Sequence, residues 1–160
     1  MRAHAFLAGR GFTTIELLVV MAILGVLAAA IMPLGETLVT AQKERDLRQA
    51  LIEIRGALDE YKRVMDQIGN QPGGSGYPPN LKVLTEGTPD PRWQAKGARL
   101  YFLRAIPRDP FASHQLPAEQ TWHLRSYASP PDKPAPGADV YDVHSSSKAK
   151  ALDGSFYAQW

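Results

Sequence analysis

The sequence predicts an α+β chain in which one long N-terminal helix, apolar in its first half, packs its second half against a small antiparallel β-sheet. Three observations predict it. Leu17 to Leu34 is an uncharged run of eighteen residues. Beyond it, Leu47, Leu51, Ile54, Leu58, Tyr61, Met65 and Ile68 recur at alternating intervals of four and three, the spacing of one helix face. Two short stretches rich in apolar and aromatic residues, Trp122–Tyr127 and Val140–Val143, are separated by prolines and a glycine, the pattern of a hairpin with a wide, rigid loop.

Composition narrows the function classes. At 160 residues and 44% hydrophobic, the chain has room for one folded domain plus an anchor. It contains no cysteine, which excludes thiol chemistry, disulfide staples and Cys-ligated zinc. The formal net charge is +2, and loss of a leader carrying Arg2 and Arg10 brings it to zero on side chains. Nucleic acid is therefore not an expected partner, since that needs clustered Lys and Arg.

The N-terminal segment carries most of the information. Between Gly11 and Gly35 the only charged residue is Glu16. Counted from Phe12 to Leu34, the segment reaches the ~20 apolar residues needed to cross a bilayer. Arg2, His4 and Arg10 precede it without an acid, whereas Lys43, Arg45 and Arg48 beyond it are offset by Glu36, Glu44 and Asp46, which predicts a cytoplasmic N-terminus. A carboxylate near the start of a span is costly and marks function or a partner. On these residues alone, Glu16 is either such a group or the shallow edge of an ordinary signal anchor.

The surrounding residues decide between the two. Gly11-Phe12-Thr13-Thr14-Ile15-Glu16, followed by Leu17-Leu18-Val19-Val20-Met21, closely resembles the processing signature of type IV prepilins and type II secretion pseudopilins. The resemblance implies a leader over 1–11, cleavage after Gly11 by a prepilin peptidase, N-methylation of Phe12, a membrane or fibre-core helix over 12–34, and a periplasmic pilin-like domain over 35–160. Gly11 lets an active site approach the scissile backbone closely. Cleavage leaves a cationic amine at Phe12, and two opposite charges in an apolar setting are tolerable when paired. Phe12 and Glu16 are four apart and can meet within one helix, but a neighbouring subunit displaced along the axis satisfies the same pair between chains. The resemblance favours the second arrangement, with Glu16 guiding assembly. A rival reading takes Arg2, Arg10, the run Leu17–Leu27 and Ala28-Ala29-Ala30 as a secretory signal, with a mature start at Ile31.

Two further residues fit the same pattern. Gly25 gives the helix a close-approach surface for packing in lipid. Pro33 lacks an N–H and crowds the carbonyl of Ala29, so it should kink or locally melt the helix, or simply mark the end of the span.

After the span, the stripe from Leu47 to Ile68 should pack on the chain's own sheet rather than form a coiled coil, because the repeat is short and interrupted by Gly56. The charges from Lys43 to Asp66 fall on the other face, to be solvated or paired between subunits. Composition changes at Gly69, and twelve of the thirteen prolines lie beyond Gln71, so no second long helix is expected. Asn70–Pro79 reads as loop, Asn80–Glu86 as a helical turn with Leu81 and Leu84 inward, and Gly87–Pro91 as loop. Leu100–Ile106 is apolar but too short to assign. Phe156, Tyr157 and Trp160, after an Asp153-Gly154 turn, add an edge strand or cap the core.

Leu103 to Phe111, LRAIPRDPF, with the aromatic strand and Tyr141-Asp142-Val143-His144-Ser145, is similar to the globular part of the major pseudopilin of type II secretion. In that family the segment after the last such strand is acidic and holds calcium. Here Ser145–Lys150 reads SSSKAK, placing two lysines where oxygen ligands belong. Asp139, Asp142, Ser145 and Asp153 are the residues left to supply hard oxygens; Asp142 and Asp153 are otherwise a local cap and a turn.

Catalytic patterns are missing from the sequence. His4, His114, His123 and His144 are scattered, and neither a phosphate loop, a dinucleotide-binding loop nor a nucleophile elbow is present. The expected role is structural, without enzymatic activity. The subunit would join identical and related pseudopilins on an inner-membrane assembly platform and form a periplasmic pseudopilus that drives export across the outer membrane, its head-to-tail contacts giving an open filament. The alternatives are a type IV pilus, competence or minor pilin subunit, and a non-polymerising single-pass periplasmic binding protein.

Overall fold

The computed structural model describes residues 11–69, 74–90 and 97–160, without the side chains of Ala30, Met32, Pro33 and Leu34. Residues 1–10 of the predicted leader 1–11 and the stretches 70–73 and 91–96, including parts of the predicted loops, lie outside the described residues. The chain divides into two compact units, one ending at Val39 and one running from Thr40 to Trp160. Helix α1, Thr14–Ile68, contributes to both.

In the first unit α1 starts at Thr14, two residues after the predicted start at Phe12. Thr13 is the residue before the helix, and its Oγ1 accepts a hydrogen bond from the Glu16 amide at 3.2 Å, satisfying one of the first-turn N–H groups that have no helical partner. The helix continues through position 33, where the sequence predicts a kink or local melting; the backbone stays helical there, and the Pro33 side chain lies outside the described residues. Among the described residues no helix is long and apolar enough to cross a membrane. The predicted span, 12–34, includes the four residues without described side chains.

In the second unit the predicted stripe becomes the core. Leu47, Leu51, Ile54, Leu58 and Tyr61 are buried, joined by Ala50 and Ala57, and Met65 packs against them in part. They meet Leu81, Leu84, Leu103, Trp122, Val140, Val143, Ala151 and Tyr157 in one cluster. The short helix α2, Lys82–Glu86, forms where a helical turn is predicted, with Leu81 and Leu84 buried.

The described strands form two two-stranded antiparallel sheets. Thr88–Pro89 (β1) pairs with Arg99–Leu100 (β2), so part of the predicted loop Gly87–Pro91 is instead strand. Its entry requires Gly87, whose φ is +79° and whose position would bring a Cβ within 2.8 Å of the Tyr101 ring, a conformation open only to glycine. Trp122–Arg125 (β3) pairs with Asp142–Ser145 (β4), with Trp122 opposite Ser145 and Leu124 opposite Val143. The hairpin is as predicted, but its second strand lies two residues later than Val140–Val143. Val140 is buried and its amide donates to the Pro78 carbonyl at 2.8 Å, so it belongs to the core without joining the ladder.

Candidate functional site

Each unit holds one group of functional candidates. In the first, Gly11 and Phe12 precede the helix and Glu16 occupies its first turn, where a carboxylate complements the helix dipole. Phe12, at 81% exposed, leads a helix whose described apolar side chains are all uncovered: Ile15, Leu17, Leu18, Val19, Val20, Met21, Ile23, Leu24, Val26, Leu27 and Ile31 are each 45% exposed or more. No heavy atom comes within 4 Å of a Cβ added at Gly25, which leaves an open notch in this surface. A helix apolar on every side is stable only when lipid or other helices surround it. Glu16 is the one formal charge in 11–35, so anything that surrounds this helix must neutralise it or leave it at the boundary.

The second group is the C-terminal segment, which the helix fastens by two side chains. Glu44, 6% exposed, accepts hydrogen bonds at Oε1 from the Leu152 amide at 2.7 Å and from the Tyr157 hydroxyl at 3.0 Å. Burial first, and then the Glu44 carboxylate, push the Tyr157 hydroxyl from 10.0 up to about 12. Arg55 donates to Asp142 Oδ1 at 2.8 Å, to the Val143 carbonyl at 3.0 Å and to the Trp160 carbonyl at 2.6 Å. The Arg48 guanidinium lies 4.3 Å from the Trp160 ring centroid. The expectation that the charges after Lys43 are solvated or paired between subunits is therefore corrected for Glu44 and Arg55: Glu44 is buried, Arg55 is partly exposed, and both bind groups of the chain's own C-terminal part. The signal was present for Glu44, which stands three residues before Leu47 and so continues the apolar stripe's own rhythm.

A second buried carboxylate explains LRAIPRDPF. Asp109, 2% exposed, accepts from Ser145 Oγ at 2.6 Å and the Ser146 amide at 3.2 Å through Oδ2, and from the Phe111 amide at 2.8 Å through Oδ1. Its own amide donates to Thr121 Oγ1 at 3.1 Å. The Pro107 carbonyl accepts from Trp122 Nε1 at 2.8 Å, and Phe111 stacks on Tyr157 with centroids 4.0 Å apart. The segment thus ties β3, the end of β4 and the C-terminal cap together.

The residues considered for calcium are not gathered into a shell. Asp142 is bound by Arg55, and Asp139 Oδ1 accepts from the Tyr127 amide at 2.9 Å. Ser145 is engaged by Asp109. Asp153 accepts from the Ser155 amide and hydroxyl at 2.9 and 2.6 Å, closing the predicted turn with Gly154 at φ +87°. Those Ser155 bonds hold the Asp153 carboxyl below its ordinary range. Among the described residues no group of three or more His, Asp or Glu side chains is placed to hold a metal ion. Tyr157 caps the core within a 3-10 turn, Tyr157–Gln159, and Phe156 bridges to Lys150.

Comparison with known proteins bears on both units. Residues 8–32 match the family model described as the prokaryotic N-terminal methylation motif. Type II secretion system core protein G of Pectobacterium carotovorum subsp. carotovorum is 33% identical over 111 residues, 65% of this chain and 63% of that protein. The chain thus spans less than two thirds of the length of this curated relative. No solved structure matches the chain. Motif and relative together support the resemblance to type II secretion pseudopilins.

Proposed function

We propose that the chain is a structural, non-enzymatic subunit of a type II secretion pseudopilus, cleaved after Gly11, N-methylated at Phe12 and polymerised through the first half of α1. The observation that carries this reading is the helix 14–31: apolar and uncovered on all sides among its described side chains, with its single carboxylate, Glu16, in the first turn. Before assembly the inner membrane covers that surface, the N-terminus facing the cytoplasm and the second unit the periplasm. In the filament, the same helices of identical and related subunits replace lipid.

Glu16 gives the exchange its register. The amine created at Phe12 is the only cation that processing adds at this depth, and the helix dipole already makes the first turn electropositive. A carboxylate in an apolar bundle is stabilised chiefly by a cation it can reach. Pairing Glu16 of one subunit with the Phe12 amine of the next satisfies both charges and sets an axial step between neighbours. Gly25 supplies close backbone approach where helices cross. A prepilin peptidase and an inner-membrane assembly platform are the other partners this reading requires. The alternatives that share its chemistry, a type IV pilus or competence filament, fit the helix equally, and the name of the relative over 111 residues favours the secretion branch.

The test has two parts. The mature chain is sequenced from its N-terminus, with a methylated Phe12 expected; a start at Ile31 or any other residue overturns the reading. Glu16→Ala is then expected to abolish crosslinked subunit ladders while the second unit keeps its unfolding midpoint. Ladders that persist in Glu16→Ala overturn the assembly role of Glu16, and absence of ladders from the unaltered chain leaves the non-polymerising single-pass periplasmic binding protein.

A further inference from the structure

We propose that the outer face of the β3–β4 hairpin binds a borderline divalent transition-metal ion, such as copper(II), nickel(II) or zinc(II), through the imidazoles of His123 and His144, with water completing the coordination. The site uses none of the residues of the apolar helix and none of the carboxylates considered for calcium as ligands, and it does not depend on the proposed function.

Register carries the argument first. His123 and His144 are direct partners across the antiparallel pair, and such partners place their Cβ atoms ~4.5–5.5 Å apart. Alternation along each strand sends their neighbours Trp122 and Val143 into the core, leaving the two imidazoles together on the opposite face. Their ring centroids are 5.4 Å apart at an interplanar angle of 87°. An imidazole nitrogen binds these ions at about 2.0–2.1 Å for zinc, so one ion between two rings so spaced needs side-chain rotation and no strand movement.

The surroundings make the pair a site rather than two surface residues. A cavity of about 360 Å³ is lined by both histidines with Trp122, Leu124, Pro134 and Pro136. Its wall is held in place by the Ser126 amide, which donates to the Ala135 carbonyl at 2.9 Å. At Gly137 the loop passes so close that a Cβ would lie 2.7 Å from Ser126. The open side of the cavity admits an ion with its remaining aqua ligands.

The charges nearby are Arg125, Arg55 and Asp142. Arg55 is already bound to Asp142, and the Arg125 guanidinium lies 5.2 Å from the Tyr141 ring. Burial first, then His123, hold His144 below its ordinary value of 6.5. Neutral imidazole suits copper, nickel and zinc, whereas calcium selects oxygen.

The experiment uses the full chain in detergent, without a histidine tag, titrated with copper(II), nickel(II) or zinc(II) salt alone. Binding is followed by calorimetry, and the imidazole C–H signals by NMR. One ion per chain is expected, with the His123 and His144 signals moving together and the melting temperature rising with metal. His123→Ala and His144→Ala should each abolish the site, because a chelate lost at one ligand is lost as a whole; His114→Ala should leave it intact. Absence of binding, unchanged binding in the double variant, or mere halving of the bound metal in each single variant overturns the proposal. Circular dichroism of the metal-free variants separates loss of the site from loss of the fold.

Discussion

Replacing Glu44 with alanine is expected to loosen the C-terminal segment and lower the stability of the second unit by about 2–5 kcal/mol. The figure follows from the two hydrogen bonds that end on Oε1. A bond to a charged acceptor contributes ~1.5–3 kcal/mol, and a buried donor left without a partner costs ~1–3 kcal/mol. The two donors differ in what happens next. Leu152 is 53% exposed, so water can replace the carboxylate at its amide, whereas Tyr157 is 1% exposed and its hydroxyl is stranded. The loss therefore comes mainly from the tyrosine. Small domains have urea slopes of about 1–3 kcal/mol per molar, so a change near 3 kcal/mol moves the midpoint by roughly 1–3 M. Urea unfolding in detergent, followed by tryptophan fluorescence, reads this shift. A cycle with Tyr157→Phe isolates the pair, with a coupling of about 1–2 kcal/mol expected, inside the range for side chains in direct contact. A Glu44→Ala midpoint within about 0.5 kcal/mol of wild type, the usual scatter of surface changes, would refute the clamp, as would strict additivity in the cycle.

The same tyrosine predicts a pH dependence. Its hydroxyl ionises near 12 in the folded chain and at 10.0 in the unfolded one, so the folded state keeps a proton that the unfolded state has lost. The resulting stabilisation is fully present below pH 10 and disappears as pH rises towards 12; alkaline unfolding of Tyr157→Phe should be flatter in that window. Asp109→Ala strands Ser145, Ser146 and Phe111 donors at once and should cost about 3 kcal/mol or more, measured by the same urea series. Gly87→Ala forces a side chain into φ +79° against the Tyr101 ring and should cost about 1–3 kcal/mol, with β1–β2 amide protection lost before that of β3–β4 in hydrogen exchange.

Much of this was readable from residue order because it depends on local periodicity. The intervals of three and four from Leu47 to Ile68 reflect the pitch of a helix, and the face they mark is buried from Leu47 to Tyr61 and partly at Met65. Strand limits were less legible. Val140 is as apolar as a strand residue, and only its hydrogen bond to Pro78, 62 residues earlier in the chain, takes it out of the ladder. The roles of Arg55 and Asp109 were hidden for the same reason, since their partners stand 87 and 36 residues away; for Glu44 the stripe's rhythm marks the inward face, but not the partner 108 residues away.

By itself, the sequence determined the processing motif, the lone Glu16 in an apolar run, the long helix with its buried stripe, and the existence of a hairpin. Each is set by neighbours within a turn or two, where geometry repeats. Only the tertiary structure decided which charges are solvated and which are buried anchors, that the C-terminal segment is fastened by Glu44 and Arg55, and that His123 faces His144. Those outcomes depend on where distant segments meet, and a carboxylate reads the same in a sequence whether water or a tyrosine hydroxyl will satisfy it.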